Sequence, residues 1–309
     1  MIEIRRILCP VDFSDFSKRS VAHGLAVARR YGSKATVLHV VPPIPAVAYT
    51  ADIPPPELTG LTGEEREELR ARLLRFAEPG RPSEVRVEAV VREGETVPEI
   101  LEEAASMDAD LIALGTHGRS GFERLLLGSV TEKLLRKARC PVLTVPLGSP
   151  DPALDDPAFF KRILCPIDFS ECSLSALRYA LSMAEENDAE LVVLYVVPSD
   201  FVPLPEQPTG EALDQTISVA EFFIKREQHA RRLLNDAVPE AARTYCSIDT
   251  RMAHGKPSAE ILRLARERRS DLIVIGVQGR GAADVAVFGS TTQQVVRHAS
   301  CPVLTLRQG

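Results

Sequence analysis

The chain has 309 residues, more than one compact core usually organises, so two domains are expected. Hydrophobic residues make up 45% and charged residues 26%, which suits a folded globular protein and excludes a disordered one. The formal net charge of −6 gives no basic field to draw the chain to nucleic acid or anionic lipid, so no nucleic acid partner is expected.

The opening MIEIRRILCPVD has neither the apolar core nor the cleavage site of a signal peptide. No later run approaches the roughly 18–20 apolar residues of a membrane span, so no membrane association and a cytoplasmic location are expected. The first element is IRRILCPV, an apolar run short enough for a buried parallel strand, ending at Asp12. Residues 17–31 place Val21, Leu25 and Ala28 at helical spacing, and KATVLHVV reads as the second strand. A proline-rich stretch over 42–60 excludes regular structure and gives way to the charged helix EEREELRARLLRFAE. Then come the strand VRVEAVV, the helix VPEILEEAASM, the strand DLIALG, the glycine-rich GTHGRSGFERLLLGS over 115–129, the helix SVTEKLLRKA and the strand PVLTV.

The second half says the same again. RILCPVDFS at 6–14 returns as RILCPIDFS at 162–170, and CPVLT at 140–144 returns at 301–305. So long a period means duplicated domains and not a solenoid. The boundaries fall at 1–147 and 161–309, with a linker over 148–160 that is rich in Pro and Asp. KRILCPI, SLSALRYALSMAEE, ELVVLYVV, TRMA, PSAEILRLARE, DLIVIG, STTQQVVRHA and PVLTL repeat the order, with a second proline-rich insertion at 198–210 and a charged helix VAEFFIKREQHARRLLNDA after it. Alternating strands and helices predict α/β domains with parallel sheets built by right-handed crossovers.

The glycine stretch has the spacing G-x2-G-x9-G-S, at Gly115, Gly118, Gly128 and Ser129, and again at Gly276, Gly279, Gly289 and Ser290. Each copy follows a strand and leads into a helix, where unpaired N–H groups and the helix dipole favour an anion. Glycine admits the backbone close to a phosphate, and the serine offers a hydroxyl to the helix start or to a phosphate oxygen. A loop duplicated for structure alone fits the same pattern. Asp12 and Asp168 end the first strand of each copy, placed either to accept hydrogen bonds from a ribose or to cap the next helix.

ILCPVDFS, VLHVV, GTHGRSGFERLLLGSV and CPVLTV, with their second copies, make the chain resemble the universal stress protein family in its tandem two-domain form. The resemblance implies two Rossmann-like domains of the adenine nucleotide alpha hydrolase-like kind, each with a five-stranded parallel sheet, and ATP as ligand with Mg2+ beside it. By position it implies that Pro10, Val11, Asp12 and Val40 line the adenosine end of the first site. Gly115, Gly118, Arg119, Gly128, Ser129 and Val130 would hold the ribose and phosphates. In the second copy the matching residues are Pro166, Ile167, Asp168, Val196, Gly276, Gly279, Arg280, Gly289, Ser290 and Thr291. Pairing of the two domains through their last strands as an intramolecular pseudo-dimer is implied too, with a further homodimer as an extension. The second loop departs from the first: His117 becomes Gln278, Gly121 becomes Ala282 and Arg124 becomes Val285, while Arg119 persists as Arg280. Two unequal sites are expected, copy one gripping a triphosphate more tightly.

A binding module is favoured over an enzyme, with slow ATP hydrolysis or self-phosphorylation as one alternative and a structural dimerisation protein with vestigial sites as the other. Neither GxxxxGK[ST] nor SGGxDS nor HExxH occurs. The six cysteines include no CxxC pair, and four of them precede proline at the edges of apolar runs, as small buried hydrophobes do. His39 reads as a packed residue, and His23 shows no evident partner.

Overall fold

The computed structural model of the chain describes residues 2–43, 60–79, 82–118, 127–152, 160–198, 219–279 and 288–307, with only the backbone of 219–223 and 226. The first half runs β1 (Arg6–Pro10), α1 (Asp15–Tyr31), β2 (Lys34–Val41), α2 (Gly63–Ala77), β3 (Val87–Glu93), α3 (Thr96–Ser106), β4 (Leu111–Gly115), α4 (Ser129–Lys137) and β5 (Val142–Val145). The second runs β6 (Arg162–Ile167), α5 (Glu171–Asn187), β7 (Glu190–Val197), α6 (Val219–Asp236), α7 (Glu240–Tyr245), β8 (Ser247–His254), α8 (Pro257–Glu267), β9 (Leu272–Gly276), α9 (Ser290–His298) and β10 (Val303–Leu306). The short α7 has no counterpart in the sequence pattern, because six residues without a buried side chain leave no periodicity to read.

Within each half the strands are parallel, and the whole sheet has the order β3-β2-β1-β4-β5-β10-β9-β6-β7-β8. This is the expected α/β, Rossmann-like architecture, and both copies show it. At the centre β5 and β10 run antiparallel, with Val303 opposite Thr144 and Thr305 opposite Val142. Thr144 Oγ1 donates to the Val303 carbonyl and Thr305 Oγ1 to that of Val142, each at 3.1 Å. The apolar cores on both faces run through this junction: Leu143 and Leu304 belong to one, Val142 and Val303 to the other. Because β5 and β10 oppose each other, the carboxyl ends of β1 and β4 open on one edge of the sheet and those of β6 and β9 on the opposite edge.

Short side chains fix how closely α1 lies on the sheet. A Cβ on Gly24 would come 2.6 Å from Cys9 Sγ, so only glycine lets the helix sit over β1 at this distance. Ser14 caps α1 by accepting from the Ser17 amide, and Ser170 caps α5 from Ser173 in the same way. The edge strand β8 is longer than the TRMA stretch read from the sequence. Its polar ends are carried by pairing with β7 from Glu190 to Val197. A sheet's outer strand needs no apolar residues on its solvent side.

Candidate functional site

A cavity of about 680 Å³ opens at the carboxyl ends of the second copy's strands. Pro166, Ile167 and Asp168 approach it from β6, and Leu194, Tyr195, Val196 and Pro198 from β7. Pro257 and Ile261 of α8 form a wall, while Ile275, Gly276, Gln278 and Gly279 come from β9 and the turn after it. Phe288, Gly289, Ser290, Thr291 and Thr292 complete it at the start of α9. Every second-copy residue expected to hold the ligand therefore lines one cavity, save Arg280, which lies outside the described residues. Tyr195, Phe288, Pro257 and Ile261 line it too and were not among the expected site residues. The last two stand four apart on one helix face, but which way that face looks depends on how α8 crosses the sheet.

The aspartates sit in identical turns. Asp12 Oδ1 accepts from Ser14 N at 3.0 Å and Ser14 Oγ at 2.6 Å, and Asp168 Oδ1 from the same atoms of Ser170 at the same distances. Serine is thus the helix cap, and the aspartate holds the capping residue in place from one step further out. Between them Phe13 and Phe169 both have φ 63, the left-handed region that bulky residues seldom occupy. This turn directs the second carboxylate oxygen at the glycine loop: a Cβ on Gly118 would lie 2.7 Å from Asp12 Oδ2, and one on Gly279 2.6 Å from Asp168 Oδ2.

Packing accounts for the other motif glycines. A Cβ on Gly115 would meet the Phe16 carbonyl oxygen at 3.1 Å, and one on Gly276 the Cys172 carbonyl carbon at 3.0 Å. Gly128 N donates to Thr116 O at 2.9 Å and Gly289 N to Val277 O at 2.9 Å, tying the two ends of each loop together. Thr131 and Thr292 lock the same corner by donating to Gly115 O and Gly276 O, each at 2.8 Å. Gly128 and Gly289 are the N-caps of α4 and α9 and supply no side-chain acceptor. Ser129 and Ser290 are accordingly first-turn residues and not caps, exposed to solvent beside N–H groups without an intrahelical partner.

In the first copy, Pro10, Val11 and Asp12 stand at the end of β1 and buried Val40 near the end of β2, joined by the bond from Val11 N to Leu38 O at 2.7 Å. Half-buried Val130 packs on the core beneath α4. Arg119 and Arg124 lie outside the described residues. An aromatic group grips the Asp12 turn: Phe13 lies 4.8 Å from the His39 ring and 5.4 Å from Phe76, with the Arg72 guanidinium 4.0 Å above it. His39 Nδ1 meets the Val11 carbonyl at 2.7 Å, so it is a packed and bonded residue. Tyr195 replaces it beside Phe169 at 4.8 Å. His117 bonds Thr116 Oγ1 at 3.0 Å through Nδ1, and its buried Nε2 has no hydrogen-bond partner among the described residues. His23, for which the sequence offered no partner, holds the Arg19 carbonyl at 3.0 Å, and burial pushes its pKa down to about 4. Burial likewise pushes the Cys9 and Cys301 thiols up to about 12, which suppresses thiolate chemistry.

The family model described as the universal stress protein family matches residues 3–146 and 159–307. The chain belongs to this family. A universal stress protein of Mycobacterium bovis is 27% identical over 306 residues, covering 98% of this chain and 97% of its own length. One from Methanocaldococcus jannaschii is 34% identical over 150 residues, covering 48% of this chain and 83% of its own. The crystal structure of a universal stress protein from Archaeoglobus fulgidus aligns with a TM-score of 0.64 at 24% identity, covering 99% of this chain and 97% of that one, which establishes likeness of fold. Among the described residues, no helix is long and apolar enough to cross a membrane.

Proposed function

We propose that the protein is a nucleotide-binding module of stress response or signalling that takes ATP at the strand ends and acts through changes in a partner or in its own assembly. The observation that carries this reading is the 680 Å³ cavity, which collects residues chosen on sequence grounds from three strands, a loop and a helix start. Its volume lies within the range of small-molecule and cofactor sites. Ile167, Val196 and Pro198 offer an apolar seat for a base. Asp168 is placed to accept from ribose hydroxyls, and the amides and hydroxyls of Gly289, Ser290 and Thr291 to donate to phosphate. A side chain on Gly279 would fill the space beside Asp168 Oδ2, which fits a loop that must come close to a ligand. Asp12, Val40, Gly118, Gly128, Ser129 and Val130 would serve the first site in the same roles, with Mg2+ carried on the phosphates.

The first loop adds Arg119 and Arg124 where the second has only Arg280, so copy one holds a triphosphate more tightly. The arginine carries that difference and not the glycine count, because Gly281 stands where copy one has Ser120. The β5–β10 pairing supports reading the two domains as a pseudo-dimer within one chain. Glycines already required by packing favour one second reading, a structural protein whose sites stay empty. Thermal melting with ATP separates the two: at a hundredfold excess over Kd, binding adds about 2.7 kcal/mol and raises Tm by several degrees. No shift, together with no nucleotide in the purified protein by mass spectrometry, supports empty sites.

A further inference from the structure

We infer that the ends of α1 and α5 form a recognition contact by which copy one fits copy two and does not fit another copy of itself. This contact stands whether or not either copy holds a nucleotide. The strand junction cannot make the choice, because CPVLT is the same at 140–144 and 301–305. Thr144 and Thr305 also make the same hydrogen bond across it, so β5 would pair with a second β5 as readily as with β10. What tells unlike from like has to lie elsewhere in the join.

α1 and α5 are both 17 residues long, and each ends on a left-handed cap, Gly32 at φ 65 and Asp188 at φ 48. Arg30 therefore corresponds to Glu186, and Tyr31 to Asn187. Arg30 Nε donates to Asn187 Oδ1 at 3.1 Å. The symmetry-related contact sets Tyr31 beside Glu186, whose carboxylate adds to the rise that burial gives the Tyr31 pKa. Positions that meet their own counterparts in this way straddle the pseudo-twofold axis between the halves. Asn187 is 2% exposed, and its Nδ2 donates to Met183 O at 2.8 Å, which leaves Oδ1 for Arg30. Glu186 Oε1 accepts from Ser182 Oγ at 3.1 Å and from the Ile2 amide at 2.8 Å, so the leading segment of copy one is tied to copy two. Tyr179 of α5 reaches across as well, where Tyr31, Asp110 and Cys140 of copy one reinforce the pKa rise that burial gives it. Its counterpart His23 bonds Arg19 within its own half.

Each contact on the axis joins unlike groups, a guanidinium with an amide oxygen and a bulky phenol with a carboxylate. Two copy-one ends would set Arg30 against Tyr31 twice, crowding two phenols about the axis and giving neither guanidinium an acceptor. Two copy-two ends would bring a pair of carboxylates and no cation, without the Ile2 amide. Specificity built this way rests on what the wrong pairing loses as much as on what the right one gains.

Urea unfolding of the full chain tests the inference with two variants. Glu186→Arg/Asn187→Tyr gives both helices the same end, and Arg30→Glu/Tyr31→Asn/Glu186→Arg/Asn187→Tyr exchanges the two ends. The first is expected to lower the folding equilibrium constant about tenfold, and the exchange to recover at least half of the lost stability, because the same groups meet with their places transposed. Side chains that serve only their own half would give no recovery. If the first variant loses less than about threefold, or the exchange recovers less than half, the inference falls. Should the first variant fail to fold, the cycle of Arg30→Ala, Asn187→Ala and their combination decides instead. A coupling of about threefold or more in the unfolding equilibrium upholds the contact, and a smaller one overturns it.

Discussion

The aspartate turn is drawn twice with the same hydrogen bonds and the same φ of 63, yet the side chains around it differ from copy to copy. His39, His117, Phe16 and His23 in the first half correspond to Tyr195, Gln278, Cys172 and Tyr179 in the second. The turn follows from backbone requirements: an αL residue after the aspartate, a serine cap and a glycine facing Oδ2. Those requirements were met identically in both copies. What lies beyond the first ring of contacts was free to diverge, and there the first half carries three imidazoles where the second carries two phenols and an amide. Duplication thus preserved the backbone of the turn without preserving the chemistry around it.

The largest expected asymmetry is in acid stability. His23 is 3% exposed and its folded pKa lies near 4, below the ordinary 6.5. The unfolded chain therefore binds the proton first, and stability falls as pH drops from about 6.5 towards 4, by about 3 kcal/mol in total. Urea titrations across that window are expected to show the loss in the wild type and a smaller slope in His23→Gln. Equal slopes would mean that the first copy carries no such sensor. The β5–β10 junction tests the opposite case, where the halves match. Thr144→Val and Thr305→Val each remove one buried hydrogen bond and are expected to cost about 1 kcal/mol each. Denaturant midpoints differing widely between the two would break the symmetry seen across the junction. The smallest effect concerns Arg72, which lies over Phe13. Its replacement by alanine is expected to weaken nucleotide binding at the first site two- to fivefold, or about 0.5–1 kcal/mol, with no change at the second. A change at both sites would show that the effect reaches the ligand by another route.

Strand and helix order was legible throughout, since buried parallel strands are short apolar runs and the helices between them keep their spacing. β8 was read too short because an edge strand has polar ends, and α7 was not read at all. At the site, Asp168, Gly279 and Gly289 were legible from spacing and repetition. Their partners Tyr195, Ile261 and Phe288 were not, because an apolar residue at the end of an element looks the same in sequence whether it faces a core or a cavity. Capping was one of two roles left open for Asp12 and Asp168, and the structure gives it to Ser14 and Ser170, since the pattern Asp-Phe-Ser does not state which residue adopts positive φ.

For this protein the sequence by itself determined the duplication, the α/β order and the four places in each half where a side chain is absent or acidic. These are local demands, written in periodicity and in residue size. The tertiary structure alone decided that β5 and β10 meet antiparallel, which sends the two strand-end edges in opposite directions. It alone also decided that residues from five separate elements close around one cavity whose lining, among the described residues, includes no cation. Those outcomes depend on how the helices cross the sheet and how distant strands pair, and no local pattern encodes either.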